Sequence, residues 1–228
     1  MWLALWLGLL ATPSPSPNWL DGGITLGALA AWAGLDSAHA HLVDTSCPCT
    51  PDQINRVERP AVHFDVDGAE AAADALTGAL MLGAVALPLV LGEDTRRWRD
   101  ALLVMESMAL AGLLTQMAKT TVGRPYPYMN GPAPYVDQND DGVNYASFWS
   151  GHTAVPMAGL VAASQLYGRR APRSDWGRWL RWLGPALALT AGAFQVAASN
   201  HYPSDVIVGG LVGAAVGVGV PAFRAVDP

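Results

Sequence analysis

Five stretches of this chain are almost free of charge, and nothing else in the sequence constrains its fold as strongly. Residues 75–92, 150–168, 182–204 and 206–223 contain no Lys, Arg, Asp or Glu, and 101–118 is broken only by Glu106. A helix rises 1.5 Å per residue, so about 20 apolar residues cross the hydrocarbon core of a bilayer. Each stretch approaches that length, although 182–204 includes a turn and 206–223 is rich in glycine. With 14% charged residues the chain is also poor in charge for a soluble protein. The sequence therefore predicts an all-α integral membrane bundle of five or six helices.

The basic residues give this bundle a direction. Arg96, Arg97 and Arg99 fall between the first and second stretches, Arg169, Arg170, Arg173, Arg178 and Arg181 between the third and fourth, and Arg224 after the fifth. Positive charge marks the cytoplasmic side, and Trp176, Trp179 and Trp182 at the start of the fourth stretch read as an interfacial anchor. The other ends of the same stretches, with Lys119, Ser150, His152 and His201, then lie together at the outer face. The net charge of −6 comes from acidic outer loops and gives no sign of nucleic-acid binding.

The chain divides into three parts: 1–17, a signal peptide or part of a first membrane segment; 18–74, an apolar helix and an outer segment; and 75–223, the helical core. Residues 2–11 are apolar and precede Pro13, Pro15 and Pro17, like a secretory signal without basic residues. Residues 22–35 form a second apolar segment, either a short outer helix or a transmembrane one. Cys47-Pro48-Cys49 receives no function, because a disulfide across one residue is strained. Asp65, Asp67, Glu70 and Asp74 read as a solvated face leading into a helix. Glu106 lies near the cytoplasmic side, about 20 Å of helix from Lys119, where a structural partner is expected. Asp137–Gly142 matches the first half of a calcium loop, but Phe148 stands where the bidentate Glu belongs. A polar turn fits it better than a weak calcium site.

Three elements at the outer ends carry chemistry. Ser150-Gly151-His152 opens a helix, where Ser150 suits an N-cap and unpaired amides at the positive helix end favour an anion. Lys119 is the only lysine of the chain and offers a point charge to a phosphate oxygen, with an interfacial anchor as the competing account. After it, Gly123-Arg124-Pro125-Tyr126-Pro127 must run extended, because each proline disfavours helix in the residue before it. His201 and Asp205 straddle a helix start near Pro203, where Asp205 would accept the Nδ1 proton of His201 and leave Nε2 as a nucleophile.

Lys119, Ser150-Gly151-His152 and His201-x-x-x-Asp205, in this order and at these helix ends, resemble the type 2 phosphatidic acid phosphatase family, related to vanadium-dependent haloperoxidases. The resemblance covers about residues 75–223. It implies a helical bundle that hydrolyses phosphomonoesters or pyrophosphates of lipids at the outer face, without metal or other cofactor, in a bacterial inner membrane with the site facing the periplasm. It implies that His201 attacks phosphorus to form a phosphohistidine, that Asp205 orients it, and that His152 protonates the leaving oxygen and then activates water. Lys119 and the amides of Ser150 and Gly151 would hold the phosphoryl oxygens.

Two positions depart from the family. Tyr126 stands where the family has an arginine seven residues after the lysine, and Gln195 where it has one six residues before the nucleophile. A charge-assisted hydrogen bond is worth about 1.5–3 kcal/mol, so two lost contacts cost roughly 10²–10⁴ in rate. Tyr126 and Gln195 remain neutral donors, and Arg124, two residues away, is expected to supply part of the charge. Two functions follow: a lipid-phosphate phosphatase with a weakened clamp, or a non-catalytic membrane protein of the same fold that binds a phosphorylated headgroup. A haloperoxidase would need the same clamp for vanadate, and Ser150 lacks the G-x-S-x-G setting of a serine hydrolase.

Overall fold

A computed structural model describes residues 18–45, 54–92, 96–130 and 142–224. The apolar stretch 2–11, both cysteines and residues 137–141 lie outside them. Six helices follow one another up and down: α1 (Asn18–Leu42), α2 (Ala69–Leu91), α3 (Arg96–Val122), α4 (Gly151–Arg170), α5 (Asp175–Ala197) and α6 (Pro203–Arg224). Short 3-10 turns lie at Arg59–His63, Pro127–Asn130 and Gly142–Asn144, and the described residues contain no strand.

Nine of the twelve arginines gather at one end of the bundle. Arg170 holds Asp100 through two hydrogen bonds of 2.5 and 2.6 Å. Arg224 lies 3.6 Å from Glu106 and 3.9 Å from Asp21, and Arg99 lies 3.8 Å from Asp21. Glu106 thus has the structural partner expected of it. From Asp21 in this cluster α1 runs to His39, whose Nδ1 meets Thr120 Oγ1 at 3.2 Å near the far end of α3. It therefore runs alongside α3 from the arginine cluster to the opposite end of the bundle.

α4 lies at the centre, with every residue from Thr153 to Ser164 buried. Such a helix is sheathed by its neighbours and need not be uniformly apolar. By contrast, only 17% of the apolar window of α2 and 33% of that of α6 are buried, so these two present apolar surface outward. Three helical segments, Ala69–Leu91, Arg96–Asn130 and Pro203–Arg224, are long and apolar enough to cross a membrane. The five spans drawn from sequence reduce to these three by that measure. α4 carries polar residues that its neighbours cover, and α5 begins with Asp175, Arg178 and Arg181. The stretch 182–204 is also divided, because α5 ends at Ala197 and α6 begins at Pro203.

α4 and α6 meet through glycine. A Cβ on Gly209 would fall 2.6 Å from the Ser150 carbonyl oxygen, and one on Gly213 would fall 2.3 Å from that of Ala154. Spaced by four, these residues lie on one helix face and bring the two backbones into contact. Gly209 and Gly213 therefore serve packing within the bundle.

Candidate active site

The three connections opposite the arginine cluster build the site. Ser199 has φ +58° in the turn between α5 and α6, and its hydroxyl donates to the Ala61 carbonyl at 2.8 Å. The His201 amide donates to the Gln195 carbonyl at 3.3 Å. This turn folds His201 inward until it is 2% exposed. Burial pushes its imidazole down to about 4, with Lys119 and His152 adding to the effect and Asp205 opposing it. The ring is neutral at ordinary pH, as a nucleophile requires.

Pro203 begins α6 as the sequence predicts, and Asp205 is fully buried in the first turn. Its carboxylate lies 3.7 Å from His201 Nδ1, a charge contact longer than a hydrogen bond. The hydrogen bonds to Asp205 come from elsewhere: Arg124 Nη1 at 2.6 Å, the Ser147 hydroxyl at 2.6 Å and the Tyr202 amide at 2.9 Å. In place of the expected direct Nδ1–H bond, the carboxylate approaches the ring at 3.7 Å.

Arg124 is placed differently from the sequence expectation. Nη1 also donates to Ser204 Oγ at 2.9 Å, and Nη2 donates to Glu58 Oε2 at 2.8 Å. Ser204 Oγ in turn donates to Glu58 Oε1. The guanidinium lies 3.8 Å above the Tyr202 ring, whose hydroxyl accepts from Asn130 Nδ2 at 3.0 Å. Both terminal nitrogens are engaged by these neighbours, so Arg124 holds Asp205 and Glu58 together where a free phosphate ligand was expected.

The start of α4 also needs correction. Ser150 has the extended backbone of an N-cap, but its side chain makes no capping bond. Its amide donates to the Asp205 carbonyl at 3.1 Å and is spent on joining α4 to α6. The amides of Gly151 and His152, in the first turn, are the donors that remain for an anion. His152 stands 6.3 Å from His201 between ring centroids. Its Nε2 lies 2.8 Å from Asp74 Oδ1, a contact the sequence did not predict.

Lys119 sits near the end of α3 without a hydrogen bond or close ion pair among the described residues, in the field of Asp36 and Asp205. Tyr126 meets His201 edge to face at 6.1 Å and stacks on Tyr128 at 5.3 Å. Gln195 is buried, and its Oε1 accepts from Asn200 Nδ2 at 3.0 Å. Sequence reasoning missed Asp74, Glu58 and Ser147. The one signal for Asp74 was its place as the last charge before the uncharged stretch 75–92, whereas Glu58 and Ser147 reach the site from distant loops that carry no motif.

The described residues hold no group of three or more His, Cys, Asp or Glu side chains arranged for a metal ion. No curated protein matches the chain, and no solved structure does. One family model matches it, that of the PAP2 superfamily, over residues 100–226. This match takes in Lys119, the start of α4 and the His201 turn, and it spans more than half of the sequence; the chain belongs to the PAP2 superfamily, the type 2 phosphatidic acid phosphatase-like proteins.

Proposed function

We propose that this protein is a membrane phosphatase that hydrolyses the phosphate ester of a lipid through a phosphohistidine on His201. The observation that carries this reading is the pair of imidazoles 6.3 Å apart, one buried and neutral and the other held by a carboxylate. One phosphorus between them is within reach of a nucleophile on one ring and a proton donor on the other.

In the first step His201 Nε2 bonds to phosphorus, the P–O bond of the ester breaks, and the leaving oxygen takes a proton from His152. Asp74 on Nε2 of His152 leaves Nδ1 to carry that proton. In the second step His152 takes a proton from water, whose oxygen bonds to phosphorus as the P–N bond breaks. Asp205 stabilises the charge that grows on His201 across 3.7 Å, while Lys119 and the amides of Gly151 and His152 face the phosphoryl oxygens. Tyr126 and Gln195 contribute polarity without charge.

Nine basic residues lie at the end of the bundle opposite the site. By the positive-inside rule that end is cytoplasmic, and the site opens outward, toward the periplasm in a bacterial inner membrane. A second reading, a non-catalytic protein that binds a phosphorylated headgroup, draws support from Tyr126, Gln195 and the spent Ser150 amide. Phosphate release by the detergent-purified chain from a panel of lipid phosphate esters, beside His201→Ala, separates the two. Release that disappears in the variant is expected, and equal release from both proteins on every lipid overturns catalysis.

A further inference from the structure

Asp205 acts on His201 through charge. Nδ1 of the buried ring makes no hydrogen bond, and the Asp205 oxygen that faces it, Oδ2, lies 3.7 Å away, beyond hydrogen-bond length. What the ring receives therefore depends on how much negative charge the carboxylate keeps. The other oxygen, Oδ1, accepts from Arg124 Nη1 at 2.6 Å. Paired with Asp205 alone, that guanidinium would cancel the charge.

Glu58 divides the guanidinium between two carboxylates. It comes from the outer segment, outside the residues 100–226 that match the family, and local chemistry presents it. Asn55 Oδ1 accepts from the amides of Val57 and Glu58 at 3.0 and 3.1 Å, and Asn55 Nδ2 donates to Glu58 Oε2 at 2.6 Å; such side-chain turns fix a short loop. Beyond Glu58 the segment is fastened to the turn that carries His201. Ser199 donates to the Ala61 carbonyl, the Val66 amide donates to the Ala197 carbonyl at 3.1 Å, and Ala61 and Val62 pack with Tyr202. The buried Glu58 carboxylate thus meets Arg124 Nη2 at 2.8 Å while Asp205 meets Nη1. Two carboxylates share one cation, and the three groups together keep a formal charge of −1.

We infer that Glu58 is a positioning residue for phosphoryl transfer: by sharing Arg124 it leaves Asp205 the negative charge that stabilises His201 as the ring becomes cationic. This rests on His201 acting as the nucleophile. Nε2 bonds to phosphorus, the ester P–O bond breaks, the leaving oxygen takes the proton of His152, and the ring keeps its Nδ1 proton and gains positive charge. Lys119 and His152, which also face the ring, oppose that charge. Glu58 forms no bond in the step and acts through the field at the ring.

Two inhibitors separate this role from packing. Orthovanadate bonds to a nucleophile and copies the five-coordinate phosphorus of transfer, whereas inorganic phosphate is held by Lys119 and the helix amides alone. The ratio of their competitive inhibition constants cancels the fraction of folded protein and, to first order, the field on the anion itself. What remains is the response of His201. Both constants are measured on the purified full-length chain against the lipid phosphate ester it turns over fastest. In Glu58→Gln, an amide of the same shape, the vanadate-to-phosphate ratio is expected to rise about tenfold. Glu58→Met, likewise uncharged and of similar length, takes its place if the amide does not fold. Glu58→Asp keeps the charge and should stay within about twofold of wild type.

A ratio within about twofold of wild type in the uncharged variant, or an equal rise in Glu58→Asp, overturns the role of Glu58 and leaves the phosphatase reading standing. Wild-type phosphate release no greater than that of His201→Ala overturns the phosphatase reading, and the role of Glu58 with it.

Discussion

Asp74→Asn removes the carboxylate charge from His152 and leaves a side chain of the same shape. A charge-assisted hydrogen bond is worth about 1.5–3 kcal/mol. The Asp74 side chain is 60% exposed and that of His152 is 33% exposed, so solvent screening reduces the effect to about 1 kcal/mol. That corresponds to about fivefold in kcat. The sign follows from the charge: a carboxylate favours imidazolium, so without it the acid form is lost at lower pH. The alkaline limb of the kcat profile therefore moves toward acid, and Asp74→Glu restores it. The assay is phosphate release from pH 5 to 9, with the thermal midpoint of each variant measured beside it. An unchanged limb, with kcat within twofold of wild type, would refute the role of Asp74 in proton transfer and leave it a surface contact.

Two further outcomes follow from the buried charges. Arg124→Ala leaves Asp205 and Glu58 without their shared cation, which for a broken buried pair costs about 3–5 kcal/mol. The midpoint in detergent should fall by about 10 °C, with incomplete recovery in Arg124→Lys because one ammonium cannot span both carboxylates; a shift of less than 2 °C would show that the network carries little. For His201, an imidazole held down to about 4 is neutral in the native protein while the unfolded chain takes up a proton below about 6.5. Stability should then fall as pH drops from about 6.5 to 4, by about 3 kcal/mol in total. His201→Asn should flatten that part of the stability curve, and an identical decline in both proteins would contradict the buried neutral ring.

Much of the site was legible because its chemistry lies in short motifs at helix ends. Lys119, His152, His201 and Asp205 each occupy the edge of an uncharged stretch, and Pro203 marks the start of α6 where its fixed φ suits a first turn. What remained hidden depended on which loop meets which. Glu58 and Arg124 are 66 residues apart, and Asp74 and His152 are 78 apart, with no periodicity to connect them. Asp74 read as a solvated face because it is largely exposed; its exposure was foreseen, and its neighbour was not. Arg124 was expected to serve phosphate on the strength of sequence proximity, but two carboxylates invisible at that range hold it. Three of the helices are long and apolar enough to cross a membrane by length and composition, and the uncharged stretches at α4 and α5 show that a helix is hidden from water without showing whether lipid or other helices hide it.

The glycine contacts between α4 and α6 determine how much play the catalytic parts have. His152 stands at the head of one helix and Asp205 at the head of the other, and at Gly209 and Gly213 α6 brings its backbone against the carbonyls of α4 with no side chain of its own between. The two helices act as one machined part, with proton donor and orienting carboxylate at a fixed gauge. Asp74 arrives on α2, a helix with most of its apolar window turned outward. Adjustment of the site to its surroundings thus falls to the donor's outer contact, while the frame beneath the nucleophile stays constant.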